Sequence, residues 1–133
     1  MATGAQRTYA KSFLKKGEEY LASAEDNLAA ERHIPAAGDA IHAGISSKDA
    51  IVTTLTGSTS RGKDHATAAK ELKQALGKRP EATTAEKALR ELLSSKGDVE
   101  YGVALVSAAK AESLVQRART LVELAVQIVR LGR

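Results

Sequence analysis

The chain is 133 residues long, 27% charged and 43% hydrophobic, a balance that suits one globular domain spanning residues 1–133. It has no cysteine, which excludes a disulfide framework, a thiolate metal site and a cysteine nucleophile, and makes a cytoplasmic location the expectation. Lys and Arg outnumber Asp and Glu by 20 to 16, with 8 of each in residues 1–66 and 12 against 8 in residues 67–133; this permits contact with phosphate but falls short of a polybasic nucleic-acid arm.

Aromatic residues make up 3% of the chain, with Tyr9, Phe13, Tyr20 and Tyr101 the whole supply. Leu, Ile, Val and Ala must therefore fill the interior, which favours close-packed helices over a β-sandwich. The opening stretch MATGAQRTYAKSFLKKGEEY has no continuous apolar run, and nowhere does the chain hold the ~18 consecutive apolar residues of a membrane span. Neither export by such a signal nor membrane insertion is expected.

Between about Tyr9 and Ala30, Leu14, Leu21 and Leu28 recur seven apart beside Phe13, Tyr20 and Ala24, the spacing of one helical face. A second helix is predicted from about Ile34 to Thr54, with Pro35 in its first turn, where its missing N–H is harmless, and Ile41, Ile45, Val52 and Leu55 in phase. Residues 56–63, TGSTSRGK, are small and polar and predict an exposed loop. Asp64 is placed to cap a third helix carrying Ala69, Leu72 and Leu76, which Gly77 and Pro80 stop. A fourth helix is predicted after a Thr84 cap, with Ala85, Ala88, Leu89, Leu92 and Leu93 apolar and an interruption at Gly97. Beyond Tyr101 a long last helix repeats Leu114, Leu121 and Ile128 at seven, with Val115, Val122 and Val129 alongside, a stripe fit to bury against the first two helices or a second subunit.

The loop from Gly57 to Lys63 has the glycine and lysine spacing of a phosphate-binding P-loop. The residue after the lysine is Asp64, where Ser or Thr is needed for Mg²⁺, and a carboxylate there opposes a nucleotide's own charge. The parallel sheet that holds such a loop is also missing from the predicted elements. His33, His42 and His65, with Asp39 and Asp49 on the face of His42, complete no HExxH or ExxH set, so no metal and no cofactor is expected. No nucleophile elbow supports a serine triad. What remains is Arg61, Lys63 and His65 at the start of the third helix, where backbone N–H groups already favour an anion; an arginine and a histidine so close are also the residue types of metal-free RNA cleavage.

The helix AIHAGISSKDAI, the Gly-rich turn into GKDH, and LLSSKGDVEYG followed by a long last helix together resemble the HEPN family of small bacterial α-helical domains over most of the chain. The resemblance implies an all-α, up-and-down bundle of four to five helices that forms homodimers or pairs with a nucleotidyltransferase-like partner in toxin and antitoxin systems. Catalytic members of that family are metal-independent endoribonucleases with an arginine followed, after four to six residues, by a histidine at a late helix. In the segment that aligns, Lys96 stands where that arginine is expected and Tyr101 where the histidine is. Lysine lacks the planar fork of arginine, and tyrosine is a poor base at neutral pH, so the motif reads as degenerate. The expectation is a non-catalytic binding or regulatory module whose groove combines His42, Asp49, Arg61, Lys63, His65, Asp98 and Tyr101 and contacts nucleotide or RNA phosphate. The alternatives are an endoribonuclease using His65, Lys96 or Tyr101, and a purely structural dimerisation unit.

Overall fold

A computed structural model of the chain describes residues 3–60 and 65–133. It is all-helical: α1 (Gly4–Ala29), α2 (His33–Thr56), α3 (His65–Leu76), α4 (Ala82–Tyr101) and α5 (Ala108–Ala125) pack together as a bundle, and α5 runs on into a π-helical turn, Val126–Arg130. Among the described residues there is no strand, so the β-branched run Ile51–Thr56 is helical, as the lack of a pairing partner requires. No helix among the described residues is long and apolar enough to cross a membrane.

The architecture is organised around α2, which touches each of the other four helices. Its buried residues, among them Ala36, Ala37, Ala40, Ile41, Ala43, Gly44, Ser47, Ala50, Ile51 and Val52, point in every direction rather than along one stripe, which is the pattern of a helix enclosed by its neighbours. Small side chains set how near those neighbours come. A Cβ at Gly44 would lie 2.5 Å from Leu92 Cδ1 of α4 and 3.4 Å from Leu121 Cδ1 of α5, and one at Gly17 of α1 would lie 3.0 Å from Ser47 Oγ. The heptad positions Leu114, Leu121, Ile128, Val115 and Val122 of the last helical stretch are buried against this centre.

Capping chemistry places most of the helix ends. Thr3 forms a capping box with Gln6 at the start of α1, extending that helix five residues ahead of its apolar stripe. Gly57 ends α2 in the left-handed conformation (φ 95°), and Gly77 does the same after α3 (φ 60°), a conformation that glycine adopts without a Cβ penalty. The largest difference from the sequence pattern is α4: it begins at Ala82, ahead of Thr84, and runs through Gly97 to Tyr101. A helical glycine costs about 1 kcal/mol, and tertiary contacts beyond it hold the last turn: Val99 packs against the core and Glu100 reaches His42 of α2.

Because Leu92 and Leu121 are fully buried, the space taken by a new side chain at Gly44 cannot be vacated cheaply. Gly44→Val is expected to destabilise the protein by about 1–3 kcal/mol through overpacking, despite its better helix propensity, and the shift of the urea midpoint at unchanged m-value measures it.

Candidate functional site

Two separate polar clusters lie along α2, one buried around Lys48 and one half-exposed around His42. The first is built on Lys48, which sits in phase with Ile41, Ile45, Val52 and Leu55 on the apolar face and is 3% exposed. Its Nζ lies 2.5 Å from Glu71 Oε1 of α3 and 3.3 Å from Asp49 Oδ1, and it donates to Thr59 Oγ1 at 2.7 Å and to the Ser60 carbonyl at 3.1 Å. Thr59 Oγ1 in turn donates to Asp49 Oδ1 at 2.8 Å, and the Ser60 N–H donates to Glu71 Oε2 at 3.2 Å. A buried ammonium requires this density of partners. The result fastens the loop after α2, and α3 behind it, to the centre of the bundle.

Burial pushes the Glu71 carboxyl up, but the hydrogen bond and charge of Lys48, with the bonds from Ser60, outweigh it and hold Glu71 below its ordinary value of 4.5. A carboxyl held down in the folded state stabilises fold and loop above its ordinary value and loses that contribution as pH falls through the lower, folded value.

The second cluster joins α1, α2 and α4. The His42 ring stacks on Tyr20 with centroids 5.2 Å apart and planes 29° from parallel, and His42 Nε2 lies 3.4 Å from Glu100 Oε1. Lys96 Nζ approaches the other carboxylate oxygen of Glu100 at 4.0 Å, one helical turn away. Beside Tyr20, a shallow pocket of about 380 Å³ is lined by Lys16, Glu19, Ser23 and Asp39, and Asp39 Oδ2 accepts from Ser23 Oγ at 2.6 Å and Asn27 Nδ2 at 3.1 Å.

The sequence-derived groove is thereby divided. His42 belongs to the Glu100 cluster and Asp49 to the Lys48 cluster, their separation of two helical turns being about 10 Å along the axis. Lys96 faces Glu100; Tyr101 is 81% exposed; Asp98 lines a groove of about 510 Å³ at the junction of α4 and α5. Arg61, Lys63 and the Asp64 cap lie outside the described residues, and of His65 only its backbone place at the start of α3 is described. Asp39, grouped with His42 by sequence, turns instead to Ser23 and Asn27 of α1. Among the described residues no three His, Asp or Glu side chains converge as metal ligands would.

Among the described residues, six of the twelve basic side chains of residues 67–133 pair with carboxylates. Arg119 pairs with Glu25 at 2.6 Å, Arg130 with Glu18 at 2.9 Å and Arg117 with Glu91 at 2.6 Å, while Arg90 and Lys73 share Glu86. Such exposed pairs add about 0–1 kcal/mol each. Sequence reasoning missed Lys48, Glu71, Thr59, Tyr20 and Glu100. Lys48 carried a usable signal, a cation in register with an apolar stripe. Glu71 and Glu100 carried none, since their roles arise only when α3 and α4 dock on α2.

Lys48→Met keeps the buried stem and removes the charge that holds Glu71 down. In a carboxyl-detected NMR titration the Glu71 midpoint is expected below the ordinary glutamate value in the native protein and to move upward in the variant, with stability reduced by about 3 kcal/mol as the carboxylates lose their partner. An unmoved midpoint would show that Lys48 does not govern Glu71.

No protein-family model matches the chain, and neither a curated protein nor a solved structure does.

Proposed function

We propose that the chain is a non-catalytic binding or regulatory module built on a HEPN-like bundle, working in the cytoplasm. It engages nucleotide or RNA phosphate through Arg61 and Lys63, with His65 as a donor, and pairs with itself or with a nucleotidyltransferase-like partner of a toxin and antitoxin type. The observation that carries the non-catalytic reading is the condition of the segment Lys96–Tyr101. Lys96 and His42 both face Glu100, and Tyr101 stands in solvent with no described acid or base aligned on it.

The endoribonuclease reading has one specific observation in its favour. His42 is 43% exposed at its side chain and has a carboxylate beside Nε2, the arrangement by which a carboxylate orients an imidazole for acid–base work. The two readings separate on end-labelled RNA incubated with the purified protein in excess EDTA, beside His42→Ala, His65→Ala and Tyr101→Ala. No cleavage by any of the proteins is expected. Cleavage by the native protein that one variant abolishes would overturn the binding-module reading and locate the acid–base group. In parallel, Arg61→Ala is expected to weaken RNA or nucleotide binding about tenfold in a fluorescence titration, the effect of losing one charge-assisted hydrogen bond; unchanged affinity would remove that loop from the site.

A further inference from the structure

The chain between α4 and α5 exposes apolar side chains that a lone bundle has no reason to display. Among the described residues, Tyr101 is 81% exposed, Val103 102% and Leu105 84%. Scattered exposed hydrophobics are ordinary, whereas three large ones within five residues form the kind of contiguous patch that marks an interface. The knuckle they form is fixed at both ends. The Gly102 N–H donates to the Asp98 carbonyl at 3.1 Å, closing α4, and a Cβ at Gly102 would lie 2.6 Å from that oxygen. Ser107 Oγ accepts from the Lys110 N–H at 3.1 Å and caps α5. A surface anchored in this way loses little conformational entropy when it is covered.

Directly against the knuckle lies the groove of about 510 Å³, lined by Ser95, Asp98, Val99, Val106 and Lys110 together with the knuckle itself. Its two charged side chains, Asp98 and Lys110, have opposite sign, and neither forms a salt bridge among the described residues. We propose that this surface binds a second copy of the chain across a two-fold axis, the knuckle of each copy seated in the groove of the other, with Asp98 of one facing Lys110 of the other. The argument for that occupant is self-complementarity. A two-fold contact brings a patch against itself, and here the patch holds both the protrusion and the hollow, both the acid and the base. A polyanion would find no net charge to attract it in a groove with one charge of each sign.

The inference deepens the proposed function, which already has the bundle pairing with itself, and it moves the contact away from the first and last long helices, the surfaces suggested by their apolar stripes. The stripe of the last helix is occupied within the bundle, Leu114, Leu121 and Ile128 being buried in a single copy, and on α1 Leu14 and Ala24 are buried while Phe13, Leu21 and Leu28 are half-buried.

The test is molar mass by size-exclusion chromatography with light scattering, from about 1 to 100 µM, on the native protein and on Leu105→Asp, Asp98→Lys, Lys110→Asp and the double variant Asp98→Lys/Lys110→Asp. Circular dichroism on each variant checks that the bundle remains folded. The native protein is expected to be a dimer. Leu105→Asp and each single charge reversal are expected to raise the dissociation constant at least tenfold, and the double reversal to restore the dimer because each new lysine then faces a new aspartate. A native protein that is monomeric throughout, or a dimer untouched by Leu105→Asp, would overturn the proposal; the second result would leave the binding-module reading intact. A double variant as weak as the single ones would overturn the pairing of Asp98 with Lys110. RNA cleavage and binding are separate readouts, so failure of this surface and failure of the proposed function are told apart.

Discussion

Enclosing α2 on all sides imposes the condition that the remaining structure satisfies. A helix with neighbours in every direction must bury small or apolar residues, and the buried residues of α2 from Ala36 to Val52 are of that kind except at Lys48 and its neighbour Asp49. An ammonium inside such a helix is costly unless carboxylates and oxygens are brought to it. Glu71 from α3, Thr59 and the Ser60 carbonyl from the following loop, and Asp49 from α2 itself meet that demand. The same contacts that neutralise the lysine decide where α3 lies and where the loop begins its path toward residues 61–64. The core and the loop residues Thr59 and Ser60 are therefore coupled through one buried cation, and replacing Lys48 by an apolar residue would remove the anchor of those two residues.

The two polar clusters on α2 differ in what surrounds them, and that difference separates structural from functional chemistry. Lys48 is out of reach of solvent and all its described partners belong to the fold. His42 lies on a wetter edge, stacked on Tyr20 and facing Glu100, next to the pocket that holds Asp39 and Lys16. Buried ion pairs are weak evidence for function because the fold itself requires their pairing. Half-exposed histidine, tyrosine and carboxylate at the meeting point of three helices are groups a ligand or partner can reach without unfolding anything. The knuckle after α4 likewise leaves Val103 and Leu105 in solvent, whereas Leu114, Leu121 and Ile128 of the last helical stretch are core.

How much was legible in the sequence follows the range of the forces involved. The five helices, the loop after α2 and the glycine stop at Gly77 depend on local periodicity and backbone preference, and they were readable within a few residues; Gly57, read as part of that loop, is the cap that ends α2. The start of α4 and its passage through Gly97 were not, because Val99 and Glu100 stabilise that last turn through contacts with α2 and the core that no local pattern encodes. The candidate site was readable as a set of residue types and not as an arrangement. His42 and Asp49 share a helix face by spacing, yet α4 docks beside one and α3 beside the other, and each takes a different partner. Even the basic excess of residues 67–133 misleads when read as a surface, since Glu18 and Glu25 of the first half answer Arg130 and Arg119 of the second.

These pairings also bear on what kind of partner the bundle is suited to. Arg117, Arg119 and Arg130 are each matched to a glutamate, which takes three cations of residues 67–133 out of the salt-dependent, sequence-independent grip that several phosphate contacts produce. A short phosphate-bearing ligand needs only two or three cations at one point, and Arg61 and Lys63 lie together in the chain. Protein partners, by contrast, are recognised through apolar area surrounded by a few well-placed charges, which is the composition of the α4–α5 knuckle and its groove. The loop cations and the apolar knuckle thus differ in chemistry and follow different helices, α2 and α4.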